Sequence, residues 1–339
     1  MKLSIVDLSP IPYQGTRKDA INNTLETAQK AEQWGYSRIW LAEHHNTRNF
    51  AGRAPEVLIP YIASHTESIR VGSGSVLLNH YSPFKVAEVF GTLEDMFSGR
   101  IDMGIGRATT GPVSDFVLQR SRNHRQTSDD SSEQIAELCA WINDGFDADH
   151  PYNQVKVFKD DTAPPLWLLG SSGWSASAAA QLGLRYAFAG FINPSQSYNI
   201  AQHYLKNFQP SSNLTGIAKS ELILSLSVYC LETEEEAAQF AAPSTLMMQR
   251  LMQGDLTSPM ETEAEAVRIL GGLPKVEKRL DARIPPKALI GTPDQIKLEL
   301  SQIASVFGTT EIMIQCISAN HALRLRSLQL LAEVFELHK

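Results

Sequence analysis

The chain has 339 residues, 43% of them apolar and 20% charged, with a formal net charge of −7. That is ordinary globular usage with enough apolar residues for a sizeable core, and an acidic chain without a Lys/Arg cluster is a poor match for nucleic acid. No apolar run approaches the ~20 residues of a membrane helix. The three cysteines, Cys139, Cys230 and Cys316, are odd in number and show no CxxC spacing, which suits a reducing cytoplasm and neither a disulfide frame nor a zinc site.

In chain order, residues 2–7 read as a first strand entered without a signal-peptide pattern; with the composition, this gives the expectation of a soluble cytoplasmic protein. A Pro/Gly loop from Ser9 to Gly15 follows. A helix is expected over 18–34, with Ile21, Leu25, Ala28 and Ala31 near helical spacing and Gly35 as its stop. The second strand lies in residues 38–42, and a polar loop (46–53) leads to a helix over 55–64. Strand three covers 69–75, Pro83 opens a helix to Phe97, and strand four covers 100–106. From Arg107 to Arg125 the composition turns polar and aperiodic, the mark of a long functional loop.

Residues 127–144 read as helix and 145–164 as irregular. Strand five (166–169) leads through Gly170 to Gly173 into an Ala-rich helix ending at Leu182. Strand six (186–189), a helix over 196–207, strand seven (222–230) and a helix over 232–253 follow. Residues 254–290 are the least regular stretch. Thr292, Pro293 and Asp294 form a helix entry, that helix runs to Val306, and strand eight (311–316) and a helix over 320–337 close the chain. Eight strands, nearly all followed by a helix, imply an α/β fold. The count favours a single-domain (β/α)8 TIM barrel, residues 1–339, with insertions in the loops of its C-terminal face.

Four places carry chemistry. The apolar run Ile39 to Ala42 ends abruptly in Glu43, His44 and His45. A fully buried parallel strand should be near-continuously apolar, so titratable groups massed at its C-terminal end break the pattern where function tends to break it. Adjacent strand residues face opposite ways; the two histidines therefore cannot clasp one metal, and no metal site is expected. His44 shares a face with Trp40 and Ala42, His45 with Leu41 and Glu43. One of them has a catalytic or ligand role at the barrel mouth, or both cap strand hydrogen bonds.

Next is Gly104-Ile-Gly-Arg107, at the end of strand four. Arg107 stands just beyond the strand, where a guanidinium suits a phosphate or pairs with a neighbouring carboxylate. Gly170-Ser-Ser-Gly-Trp-Ser175 enters a helix, so Ser171, Ser172 and Ser175 supply either an anion site at a positive helix end or plain capping. The two glycines of Gly72-Ser-Gly-Ser75 mark a bulge, a flat ligand lying against the backbone, or a bend.

Trp40-Leu-Ala-Glu-His-His45, Val71-Gly-Ser-Gly-Ser75, Gly99-Arg-Ile-Asp-Met-Gly-Ile-Gly-Arg107 and Ile290-Gly-Thr-Pro293, in that order, resemble the bacterial luciferase-like, flavin-dependent oxidoreductases. The likeness runs from Met1 to about Phe335. It implies a (β/α)8 barrel that binds FMN at its C-terminal mouth, with Arg107, Gly170, Ser171, Ser172 and Ser175 on the phosphate. It also implies Gly74 and Ser75 under the isoalloxazine, at a non-proline cis peptide common in the family, with Ala42 beside them. His44 matches the luciferase active-site base, and 254–290 takes the place of the family's mobile lid. Where the light-emitting enzyme has a cysteine before the phosphate-binding Arg, this chain has Gly106, which argues against luminescence.

The activity so implied is a monooxygenase that uses reduced FMN, supplied by a separate reductase, and O2 on a small organic substrate, with a homodimer as the usual assembly. The alternatives are a deazaflavin-dependent hydride-transfer dehydrogenase and a non-enzymatic flavin-binding protein.

Overall fold

The computed structural model describes residues 1–107, 112–118, 129–157, 162–255, 257–276 and 281–338. The chain begins with β1 (Lys2–Asp7), α1 (Arg17–Gln33), β2 (Arg38–Leu41), α2 (Pro55–Ala63), β3 (Arg70–Ser73), β4 (Val76–Leu77), α3 (Pro83–Met96) and β5 (Ile101–Gly106). Then come α4 (Pro112–Leu118), α5 (Ser131–Asn143), β6 (Leu166–Gly170), α6 (Gly173–Gln181), β7 (Arg185–Ala189), α7 (Ser197–Asn207) and β8 (Leu222–Cys230). It ends with α8 (Glu234–Met252), α9 (Glu263–Leu270), β9 (Ala288–Gly291), α10 (Pro293–Phe307), β10 (Glu311–Gln315) and α11 (His321–Phe335).

All strand pairs are parallel, in the order β10-β1-β2-β3-β5-β6-β7-β8, and β10 pairs back onto β8 to close the ring. This is the expected (β/α)8 barrel. Ser227 pairs with both Gln315 and Ala288, so β9 lies across β8 from β10 and extends the wall at the mouth.

The alternation of side chains explains the core. Leu3 and Ile5, Ile39 and Leu41, Ile101, Met103 and Ile105, Leu166 and Leu168, and Ile312 and Ile314 point outward into the apolar layer shared with the helices. The alternate positions Val6, Trp40, Ala42, Trp167, Ala187, Ile223 and Met313 face the barrel axis. Trp40 and Trp167 meet edge to face, 5.4 Å apart, and fill the middle of the barrel. Below them a buried ionic cluster closes the floor: Arg38 binds Asp102 at 2.8 Å and Glu311 at 2.8 Å, and Trp40 Nε1 donates to Asp102 at 3.0 Å. The Arg38 guanidinium lies 5.1 Å from the Trp167 ring centre.

Three expectations need correction. Strand three does not run unbroken to Ser75. Val71 pairs with Ile101 and Val76 with Ile105, so five steps on one strand face four on the other, a one-residue bulge. The stretch after Arg107 is not wholly irregular, because Pro112 opens the short helix α4; residues 108–111 and 119–128 lie outside the described set. Within 254–290, α9 and β9 form. The Thr262 side chain accepts from the Glu265 N–H at 3.3 Å, and Gly271 ends the helix at φ +75°; both are ordinary capping signals that the Pro and Gly content of the region hid.

Candidate active site

The tip of β2 sets the site. Beyond Leu41 the chain leaves the sheet, and Glu43, buried at 5% exposure, anchors it. One oxygen of Glu43 accepts from Tyr81 Oη at 2.8 Å and faces His45 Nε2 at 2.7 Å; the other accepts from the Leu77 N–H at 2.9 Å. Glu43 thereby ties the β2 tip to β4, just past the bulge, and holds the His45 ring. Burial and Glu43 together raise the pKa of the Tyr81 hydroxyl, so it stays a donor.

His44 takes the other side. Its backbone N–H donates to Gly52 O at 2.9 Å, and its ring packs edge-on against Phe50 at 5.2 Å. Phe50 belongs to the inward cluster with Trp40 and Ala42, which agrees with the face assigned from the sequence. The buried Nδ1 of His44 has no hydrogen-bond partner among the described residues. Burial, and secondarily the nearby His45, lower its pKa to about 4, so the imidazole is neutral near pH 7. An uncharged ring with an unpartnered nitrogen can accept a hydrogen bond or a proton, as a weaker base than free imidazole.

Gly74 and Ser75 lie within the bulge, half-buried at the mouth, and the peptide bond between them is cis. The wall here is built for close approach. A Cβ on Gly74 would lie 2.9 Å from Trp40 Cβ, and one on Gly106 would lie 2.5 Å from Ser75 Oγ. Gly104 is tighter, since its Cβ would fall 1.9 Å from Ser73 O; Ser73 Oγ bonds both the carbonyl and the N–H of Gly104, at 2.7 and 3.0 Å.

The Arg107 guanidinium sits 4.6 Å from the ring centre of Trp174, in the first turn of α6. The serine turn and Arg107 thus open onto the same surface. Arg107 also pairs with Asp129. Ser172 occupies the N-cap position of α6 with extended backbone, yet its hydroxyl makes no cap bond, so the hydroxyl and the first N–H groups of the helix face outward together. Ser171 uses its carbonyl to accept from Asn193 Nδ2 at 3.0 Å. Ser175 differs, because its buried hydroxyl donates to Ser172 O at 2.8 Å and meets Tyr186 Oη at 3.0 Å. Only its backbone is left for the turn. Gly170 is required by that return, since a Cβ there would lie 2.3 Å from Ser175 Oγ.

The segment after α8 reaches over the mouth. Met260 is buried in the inward cluster, and Ser258 O accepts from Asn49 Nδ2 at 3.3 Å. Sequence reasoning missed Tyr81, Asp129, Trp174 and Glu56. Glu56 is a carboxylic acid whose pKa burial raises and whose Oε2 is unpartnered among the described residues. Only Trp174, inside the serine motif, carried a signal. No group of three or more His, Cys, Asp or Glu among the described residues could hold a metal ion, and no helix among them is long and apolar enough to cross a membrane.

Residues 1–310 match the family model described as luciferase-like monooxygenase. Protein YwcH of Bacillus subtilis (strain 168) is 38% identical over 339 residues, covering 99% of each chain. The N-acetyl-S-alkylcysteine monooxygenase of the same organism is 33% identical over 337 residues, 98% of each. The crystal structure of apo-MsnO8 has a TM-score of 0.87 at 37% identity, covering 99% of this chain and 98% of that one.

Proposed function

The chain belongs to the luciferase-like monooxygenase family, and from that footing we propose that it uses reduced FMN, delivered by a separate reductase, and O2 to oxygenate a small organic substrate. The observation that carries this reading is the convergence of Arg107 and the first turn of α6 on one surface, where the Ser172 hydroxyl makes no cap bond. That is a phosphate site in form. The residues fit the rest of the cofactor as well: Gly74, with no room for a Cβ beside Trp40, and Ser75 and Ala42 would lie along the ring, and His44 keeps an unpartnered nitrogen.

In this reading Arg107, Ser171, Ser172 and the N–H groups at Gly173 to Ser175 hold the phosphate, and Asp129 yields Arg107 to it. Gly170 keeps the turn tight. Reduced flavin supplies the electrons that activate O2, chemistry that no side chain here can supply. His44 accepts a proton from the substrate or returns one to it, held in orientation by Gly52 O and Phe50. Glu43 positions the β2 tip without touching the reactants. Met260 and the segment around it exclude water from the mouth. A homodimer is part of the proposal.

The test supplies FMN kept reduced by a separate reductase, under 18O2, with N-acetyl-S-methylcysteine as the first substrate because one relative is named for that class. Product carrying one 18O atom, absent with His44→Ala, is expected. Anaerobic turnover that oxidises the substrate and reduces an oxidised deazaflavin would instead overturn the reading in favour of hydride transfer.

A further inference from the structure

Between the start of α1, the loop after β2 and the segment after α8 lies a cavity of about 440 Å³ lined by Arg17, Arg48 and Arg53, and by Gly254 and Thr257. That volume is within the ~300–1,000 Å³ of small-molecule sites. Three guanidiniums line one cavity in a chain whose net charge is −7. Among the described residues, no carboxylate pairs with any of them. The neighbouring acid, Asp255, is folded into its own turn, where it accepts from the Thr257 N–H at 2.9 Å and the Ser258 N–H at 3.0 Å.

Arg17 is also out of place by local rules. It begins α1, followed by Lys18, at a helix end whose macrodipole disfavours cations. Such a local inconsistency tends to mark a site.

The cavity shares the 46–53 loop with His44. Arg48 and Arg53 flank Phe50 and Gly52, the residues that hold the His44 ring and its backbone N–H. The same loop is pinned beneath by Ile11 N–H to Asn49 O, at 2.9 Å, and by Ala51 N–H to Ser9 O, at 2.9 Å.

We propose that Arg17, Arg48 and Arg53 form the recognition site for a carboxylate of the organic substrate, so that the substrate is an organic acid whose reacting end extends toward His44. This rests on the monooxygenase reading for the meaning of "substrate" but not for the binding itself. A planar fork of donors suits a carboxylate, and Gly254 and Thr257 line the same cavity from the segment after α8.

The experiment is calorimetric titration of the protein without flavin, reductant or turnover, so failure of the oxygenation chemistry leaves it readable. The probes are N-acetyl-S-methylcysteine, its neutral carboxamide and inorganic phosphate. The acid is expected to bind at least ~10-fold more tightly than the amide, to weaken with added salt, and to lose its advantage in Arg48→Gln/Arg53→Gln. All three arginines are exposed, and an unchanged melting temperature checks that the variant is folded. Equal binding of acid and amide overturns the proposal, as does an acid preference that survives in the variant. Phosphate binding more tightly than the acid at these arginines, or loss of FMN but not riboflavin binding in the variant, also overturns it by assigning the cavity to a phosphate.

Discussion

His44 is held neutral in the folded protein because burial, with a smaller effect from His45, lowers its pKa to about 4. In the proposed role of general base it needs no prior deprotonation near pH 7. Replacing it with Asn is expected to lower turnover by ~100- to 10,000-fold while leaving FMN affinity little changed; equal loss of both would make its role structural. The lowered pKa also has a stability consequence. In the unfolded chain His44 titrates near 6.5, so between there and about 4 the unfolded state carries a proton that the folded state refuses. Stability conferred by the neutral ring is therefore lost as pH falls through that window and changes no further below it. Urea melts between pH 7 and 4 should show the wild type losing stability faster than His44→Asn by about one proton, and parallel curves would contradict this. At this scale the sequence showed where polar groups interrupt an apolar strand end. It did not show that Glu43 reaches Leu77 and Tyr81, or that the Ser175 hydroxyl turns to Tyr186, because those contacts depend on how distant strands are placed.

The seam between β3, β4 and β5 determines where Gly74 and Ser75 sit. Gly104→Ala directs a Cβ at the Ser73 carbonyl at 1.9 Å, a backbone atom that cannot swing aside. The expected cost is about 1–3 kcal/mol, read as a lower denaturation midpoint, together with weaker FMN binding. An unchanged midpoint and affinity would show that the seam does not shape the site. The glycines in both strands were legible as sites of close backbone approach; that they accompany a one-residue bulge was one of several open alternatives, settled by the register with β5. The helix α9 was announced by Thr262, Glu265 and Gly271, but short-range capping is easily outweighed in a stretch dense in Pro and Gly.

The barrel as a whole rests on its floor, where Arg38 neutralises Asp102 and Glu311. Arg38→Met leaves the buried Glu311 without a cation and Asp102 with Arg70 alone, and should cost ~3–5 kcal/mol of unfolding free energy without altering any residue of the mouth; a loss below ~1 kcal/mol would mean that water reaches the cluster. The closed architecture was legible because strand–helix alternation repeats along the whole chain, and so was the adjacency of β2, β3, β5 and β6. The arginine-lined cavity was not, since it depends on the 46–53 loop lying against the first βα loop and fastened to Ser258. The central claim, that the tips of β2, β3, β5 and β6 form one seat for a phosphorylated flavin, is tested most directly by titrating the apoprotein with FMN and with riboflavin, in the wild type and in Arg107→Ala. FMN should bind at least ~10-fold more tightly than riboflavin, about 1.4 kcal/mol, and Arg107→Ala should erase the difference. Equal affinities in the wild type, or a preference for FMN that survives in the variant, would contradict the account.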